Sequence, residues 1–160
     1  MSPQYTNELT AEMAASLSKP PFSAEKKAAM PDGARELVEA QEAFLCAHPA
    51  TAIYRIAVDG SLTARGGVVR AAWNGGEIEL EGGRRVNIAL EGDEVVYPDG
   101  TTARIINGSG EDIIKNGRGI ALVDSLLSNG DQIISTPQAT GMLVERDGMP
   151  MGESFLAKEV

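Results

Sequence analysis

Apolar residues along this chain follow one rhythm up to about residue 50 and another beyond it. In the first stretch Leu9, Met13 and Leu17 recur every four residues, the spacing of one helix face. Lys19-Pro20-Pro21 ends that helix, because proline has no N–H to give to the ladder. A short piece follows from Ser23 to Met30. Pro31-Asp32 then opens a longer helix that stops at His48-Pro49. In it Ala34, Leu37, Val38, Gln41, Phe44 and Leu45 form one stripe, and Arg35, Glu36, Glu39 and Glu42 face away. Helices this few and short do not make a stable domain alone, so they must pack on the rest of the chain or on a partner. The seam of Leu37, Val38, Phe44 and Leu45 is the candidate partner-binding face.

From Ile53 onward the apolar residues fall in short runs: Ile53–Val58, Val68–Trp73, Glu77–Leu80, Arg85–Leu90, Glu94–Tyr97, Thr102–Ile106, Ile120–Val123, Gln132–Ser135 and Met142–Glu145. Each reads as a strand. In one of them Val86, Ile88 and Leu90 share a face, which predicts a half-buried strand. Turn pairs stand between the runs: Asp59-Gly60, Asn74-Gly75, Asp99-Gly100, Asn107-Gly108, Asn116-Gly117, Asn129-Gly130 and Asp147-Gly148. Seventeen of the eighteen glycines lie beyond residue 51, many in one recurring phrase of apolar strand, turn glycine and new strand. The fold class expected is mainly β, built from short repeated hairpins, with an α-helical N-terminal extension. The expected division is 1–50 for the helical extension and 51–160 for the β domain.

Composition narrows the functional classes. A net charge of −9 with no basic cluster argues against a nucleic-acid partner held through phosphates. No apolar run is long enough for a membrane span, so no stable membrane anchor is expected. Met1–Tyr5 carries neither a positive leader nor an apolar core, which predicts synthesis in the cytoplasm without a signal peptide. Cys46, the lone cysteine, excludes an intrachain disulfide and is expected to be a small buried side chain. His48 is expected to be exposed at its helix end.

Catalytic patterns are sparse. There is no Gly-x-Ser-x-Gly elbow and no phosphate loop, and Ser109, between two glycines, has no histidine to activate it. Gly117-Arg118-Gly119 lacks the third glycine of a dinucleotide fingerprint. The carboxylate pairs Asp93-Glu94, Glu111-Asp112 and Glu77/Glu79 read as turn and surface charge. Asn107-Gly108-Ser109 fits a glycosylation sequon and, more simply, a hairpin turn. No catalytic residue is expected.

The β region carries a set of phrases in fixed order: Val58-Asp59-Gly60-Ser61, then Arg65-Gly66-Gly67-Val68, then Val86-Asn87-Ile88-Ala89-Leu90-Glu91-Gly92-Asp93, then Tyr97-Pro98-Asp99-Gly100. Asn116-Gly117-Arg118-Gly119-Ile120-Ala121 and Asn129-Gly130-Asp131 follow. In that order they resemble the PAAR-repeat family, over roughly residues 53–136. The residues expected to form the structural turns of the repeats are Gly60, Gly66, Gly67, Gly83, Gly92, Asp93, Gly117, Gly130 and Asp131.

The resemblance implies a small conical β fold that caps and sharpens the trimeric β-helical spike of a type VI secretion system or contractile phage tail. One copy would sit on each trimer, its three internal quasi-repeats meeting the partner's three chains. The chain would then be a non-enzymatic structural protein, assembled into a tail or secretion apparatus and delivered outside the cell. The resemblance also implies a tip zinc held by histidines and a cysteine, but Arg65 stands at the place of one such histidine and Tyr97-Pro98-Asp99-Gly100 at a cysteine-bearing turn. The expectation is therefore no zinc and no other cofactor, with apolar packing or an arginine–carboxylate contact in its place. Two alternatives stay open: a PAAR-type carrier or effector whose helices bind cargo or a chaperone, and a free carbohydrate-binding or hydrolytic β domain.

Overall fold

Three backbone segments, each 32 residues from the next, are tied head to tail into a closed ring in the computed structural model, which describes residues 3–19 and 22–156. Ala89 N–H donates to the Ala57 carbonyl, Ala121 to Ala89, and Ala57 back to Ala121, each at 2.9 Å. A second closed set runs beside it: Asp59 N–H to Asn87 O, Glu91 to Gly119 O and Val123 to Arg55 O, at 2.8 to 2.9 Å. The three alanines are fully buried. A larger side chain at any of them would have to displace the buried core around it.

Around that ring the chain runs α1 (Ala11–Leu17), α2 (Ala24–Ala28), α3 (Asp32–Ala47), β1 (Ala50–Arg55), β2 (Leu62–Thr63), β3 (Val68–Arg70), β4 (Glu77–Glu79) and β5 (Arg85–Asn87). It continues with β6 (Glu94–Val96), β7 (Thr102–Arg104), β8 (Ile114–Lys115), β9 (Arg118–Gly119), β10 (Ile133–Ser135) and β11 (Met142–Arg146). The fold is mainly β with few helices, as the sequence pattern implies. Among the described residues two compact units emerge, one of residues 3–7, 54–143 and 151–156, the other of residues 8–19, 22–53 and 144–150. A single cut at residue 50 is thus replaced by an interleaved division that falls inside β1 and β11. The reason is strand pairing: β1 and β11 form a two-stranded sheet, so the last strand carries its end into the helical unit.

In the β unit each ring segment leaves through a β-turn, at 58–61, 90–93 and 122–125. The fourth residue's N–H returns to the first residue's carbonyl, and its side chain (Ser61 Oγ, Asp93 Oδ2, Ser125 Oγ) accepts from the first residue's N–H at 2.9 Å. The third position needs a positive φ, supplied by Gly60 (95°) and Gly92 (93°). In the third repeat that position is Asp124, at φ 87°, a conformation that L side chains rarely adopt. Its carboxylate is held by Asn7 Nδ2 at 2.9 Å.

Each turn feeds a hairpin. These span 61–69, 93–105 and 125–133, the second four residues longer than the others. β10, β2, β3, β6 and β7 lie side by side in one antiparallel sheet. Ile105 bridges Leu127, Ser128 N–H donates to Arg104 O and Ile106 N–H to Leu126 O, so the outgoing arm of the third hairpin joins β7 to β10 and closes the sheet. Closure removes the free edges. Inside stand Val69, Ile105 and Ile133, then Val95, Leu127 and Thr63, all at most 3 % exposed.

On the other side of the ring lie the two-stranded ribbons β4–β5 and β8–β9. β5 and β9 enter the second and third ring segments as β1 enters the first. Leu90, Ile120 and Leu122 form an apolar cluster there with Tyr54, Ile56, Trp73, Ile88 and Phe155 packed against it. Residues 3–7 lie along the unit as a strap. Tyr5 exchanges backbone hydrogen bonds with Thr136, and Arg55, buried, donates to the carbonyls of Thr6 and Ala139.

In the helical unit Thr10 and Ser23 cap α1 and α2, and Arg146 donates to the carbonyls of Leu17 and His48 at 3.0 Å, meeting the C-termini of α1 and α3 together. Leu9, Met13 and Leu17 are half-buried, as their spacing predicts. Pro20 and Pro21, expected to stop α1, lie outside the described residues.

Several expectations are corrected. Ile120–Val123 is a ring segment with isolated bridges rather than a strand, since Ile120 bridges Leu90 of one segment and Leu122 bridges Ile56 of another. Asn107-Gly108 is not a hairpin turn: Asn107 is buried with its Oδ1 accepting from Leu126 N–H, and a Cβ on Gly108 would lie 2.2 Å from the Ile120 carbonyl oxygen. Cys46 is exposed rather than buried.

Replacing Asp124 by glycine relieves the left-handed strain at the cost of the Asn7 bond. Asp124→Gly is therefore expected to be about 1 kcal/mol more stable in urea unfolding than Asp124→Ala, which loses the same bond and keeps the strain; Asp124→Ala as the more stable of the two contradicts the turn equivalence.

Candidate functional site

The place where the family resemblance puts a metal is the convergence of the three hairpin turns, Thr63–Gly67, Tyr97–Thr101 and Leu127–Asp131. Each is closed by the same pair of backbone bonds, with Gly66, Gly100 and Gly130 at positive φ. The longer second hairpin carries Tyr97 across the other two. Its ring needs room, and Gly67 leaves it: a Cβ there would lie 2.6 Å from Val95 Cγ1 and 2.9 Å from Tyr97 Cε1.

Tyr97 donates its hydroxyl hydrogen to Asp131 Oδ2 at 2.6 Å and accepts from Asn129 Nδ2 at 3.0 Å. Asp131, 2 % exposed, also accepts from the backbone N–H groups of Gln132 at 2.8 Å and Arg65 at 3.2 Å, and hydrogen-bonds the Thr63 side chain. Burial alone would push its carboxyl up. The hydrogen bonds from Thr63, Tyr97, Gln132 and Arg65 outweigh that and hold it below the ordinary carboxylate range. Burial and the neighbouring Asp131 push the Tyr97 phenol up, so it stays a donor.

The donor set is therefore two hydroxyls and one carboxylate, all engaged in hydrogen bonds, without an imidazole or a thiolate. These residues do not fit a zinc site. Neither apolar packing nor an arginine–carboxylate pair takes its place, because the Arg65 guanidinium turns to the Asn129 carbonyl, 3.1 Å away, and only its backbone N–H reaches Asp131. The Asp131 charge is stabilised by hydrogen-bond donors rather than by a bonded cation. His48 and Cys46 both belong to the helical unit, where the His48 ring lies 4.8 Å from that of Phe44 and its Nδ1 is 2.7 Å from the Asp147 carbonyl oxygen.

No protein-family model, curated protein or solved structure matches this chain.

The structure spreads the expected turn residues over the β unit. Gly60, Gly92 and Asp93 form ring turns, while Gly66, Gly67, Gly130 and Asp131 build the apex. Gly83 and Gly117, both at positive φ, lie in the tips of the β4–β5 and β8–β9 ribbons. Asp93 is buried and paired with Arg118 at 3.3 Å, so it is not surface charge. Ser109 accepts from Ile120 N–H and donates to Ile113 O, both at 2.7 Å, which makes it a structural bridge.

Of the candidate partner face on α3, Val38 is 7 % exposed and Leu45 half-buried, whereas Leu37 is 75 % and Phe44 41 % exposed. The single stripe expected from the sequence is thus two lines. The inner one is set by α2: Arg35 donates to the carbonyls of Lys27, Ala28 and Met30, and Lys27 pairs with Glu42 at 3.2 Å, so the Arg35–Glu42 side of α3 turns inward beside Val38. The sequence pattern does not single out Ala57, Ala89 and Ala121, and it names Tyr97 only as part of a turn, without its bond to Asp131. The equal spacing of the alanines is the signal that could have found them.

Tyr97→Phe removes one donor from a buried carboxylate and is expected to cost about 1–3 kcal/mol in denaturation. Because the folded Asp131 pKa lies below its unfolded value, the carboxylate's contribution is complete above about pH 4. It is lost as pH falls through the folded value. Asp131→Asn should therefore flatten the acid limb of the stability curve, and an unchanged acid limb contradicts the network.

Proposed function

We propose that the chain is a non-enzymatic structural tip protein, a PAAR-like cone that caps and sharpens the trimeric β-helical spike of a type VI secretion system or contractile phage tail. The observation that carries the reading is the ring at Ala57, Ala89 and Ala121, whose three segments make the same bonds to one another. A single chain with internal threefold equivalence matches a partner built from three identical chains. The ends of the β unit differ in the way such a role requires. At the apex the strands close on themselves. On the other side β4–β5 and β8–β9 are only two-stranded among the described residues, and a partner strand can add to an outer edge.

The polar groups that look most chemical in the sequence support the same reading. Ser109, Asp93 and Asp131 each have their oxygens taken up by the fold, so none is poised as a nucleophile or base. Among the described residues no helix is long and apolar enough to cross a membrane. Assembly as one copy on a spike, made in the cytoplasm and delivered by the apparatus, completes the proposal.

Coexpression with the trimeric β-helical spike proteins of the same genome, followed by native mass spectrometry, tests it. The expected species is one copy per spike trimer. Absence of a complex with every such spike, or three copies per trimer, overturns it.

A further inference from the structure

We propose that the outward face of α3 is a docking site for a basic amphipathic helix of another protein. The inner line of α3, Val38 with Leu45, supplies what the helical unit buries. A second line, Gly33, Leu37, Ala40, Phe44 and Ala47, follows the same i, i+4, i+7 spacing and is exposed at every position. Leu37 at 75 % exposure is the most exposed large apolar side chain among the described residues. Phe44 is fixed beside it by its ring contact with His48 at 4.8 Å. Large and small residues alternate along this line, so the small ones form holes into which a partner helix can place knobs. At sixteen residues α3 is about 24 Å long, enough for a partner of about four turns.

Charge states which helix fits. Beside the apolar line runs a parallel acidic one, Asp32, Glu36 and Glu39, again at i, i+4 and i+7 and all exposed. Like charges at this spacing disfavour the helix unless cations meet them. The basic residues of α2 and α3 do so only in part. Arg35 lies 3.5 Å from Asp32 while donating to three carbonyls, and Lys27 is paired with Glu42. Glu36 and Glu39 are left facing solvent at the edge of the apolar seam, the position from which flanking charges choose a coiled-coil partner. A second copy of this chain is a poor occupant, since antiparallel packing opposes the two acidic edges and parallel packing adds no ion pair. A helix with a leucine-rich face and a lysine or arginine edge satisfies both lines. This inference rests on the helical unit alone and stands or falls separately from the spike proposal.

Fluorescence anisotropy of the full chain with a dye-labelled leucine–lysine amphipathic peptide tests the docking, and a peptide of the same apolar face with a glutamate edge is the counterpart. The lysine-edged peptide should bind at low salt, and the glutamate-edged one at least about tenfold more weakly. The double variant Leu37→Asp, Phe44→Asp should lose about tenfold or more in affinity, and so should Glu36→Lys, Glu39→Lys with the apolar line intact. A milder pair, Leu37→Gln with Phe44→Gln, repeats the measurement if the first alters the circular dichroism spectrum. Equal binding of both peptides, or affinity unchanged in folded face variants, overturns the proposal. So does a wild-type dimer in sedimentation that the face variants abolish.

Discussion

Three backbone segments bonded to one another around a closed circuit, with a fully buried alanine from each at the meeting point, are the constraint on which the rest of the structure depends. A hydrogen-bonded circuit has no end, so losing one segment breaks bonds to both neighbours. Its geometry also dictates the path of the chain on leaving the ring. Each segment must turn sharply away, which calls for a positive φ and a side chain that bonds back to the turn. Each turn then launches a hairpin beside the next, and the hairpins can close without an exposed edge. Few aromatics are needed, because the interior is narrow and filled by Val, Ile and Leu from all three repeats.

Within this equivalence the chain departs from symmetry in three places. The second hairpin is longer, and so Tyr97 reaches over the others to Asp131. The first ring segment is fed by β1, paired with β11, where the other two are fed by simple hairpins. The third ring turn uses Asp124 in place of glycine and borrows a side chain from the N-terminal strap to hold it. These departures fall at the tip of the second hairpin, in the β1–β11 ribbon and at the third ring turn.

Much of this was legible in the sequence. Apolar spacing placed α1, α3 and most strands, through amphipathic periods of 3.6 and 2, whereas α2 (Ala24–Ala28) has no apolar period to read. The ring was not legible as such, because Ile120–Val123 looks like an ordinary strand until its bonds are seen to go to two different segments. The apex was misread in kind. Arg65 suggested an ion pair, yet its guanidinium is exposed and the buried carboxylate is served by Thr63, Tyr97 and backbone N–H groups, partners set by hairpin lengths rather than by local spacing. The face of α3 was half right: helical spacing groups Leu37 with Val38, and only the carbonyls at the end of α2, which draw in Arg35, decide which of them is buried.

Amide hydrogen exchange measured by NMR tests the closed ring most directly. If the circuit is the last element to open, the N–H groups of Ala57, Ala89 and Ala121 exchange only through global unfolding, with protection that agrees among the three within about tenfold and matches the unfolding free energy. One of the three exchanging orders of magnitude faster than the other two would show an open chain of segments and contradict the account.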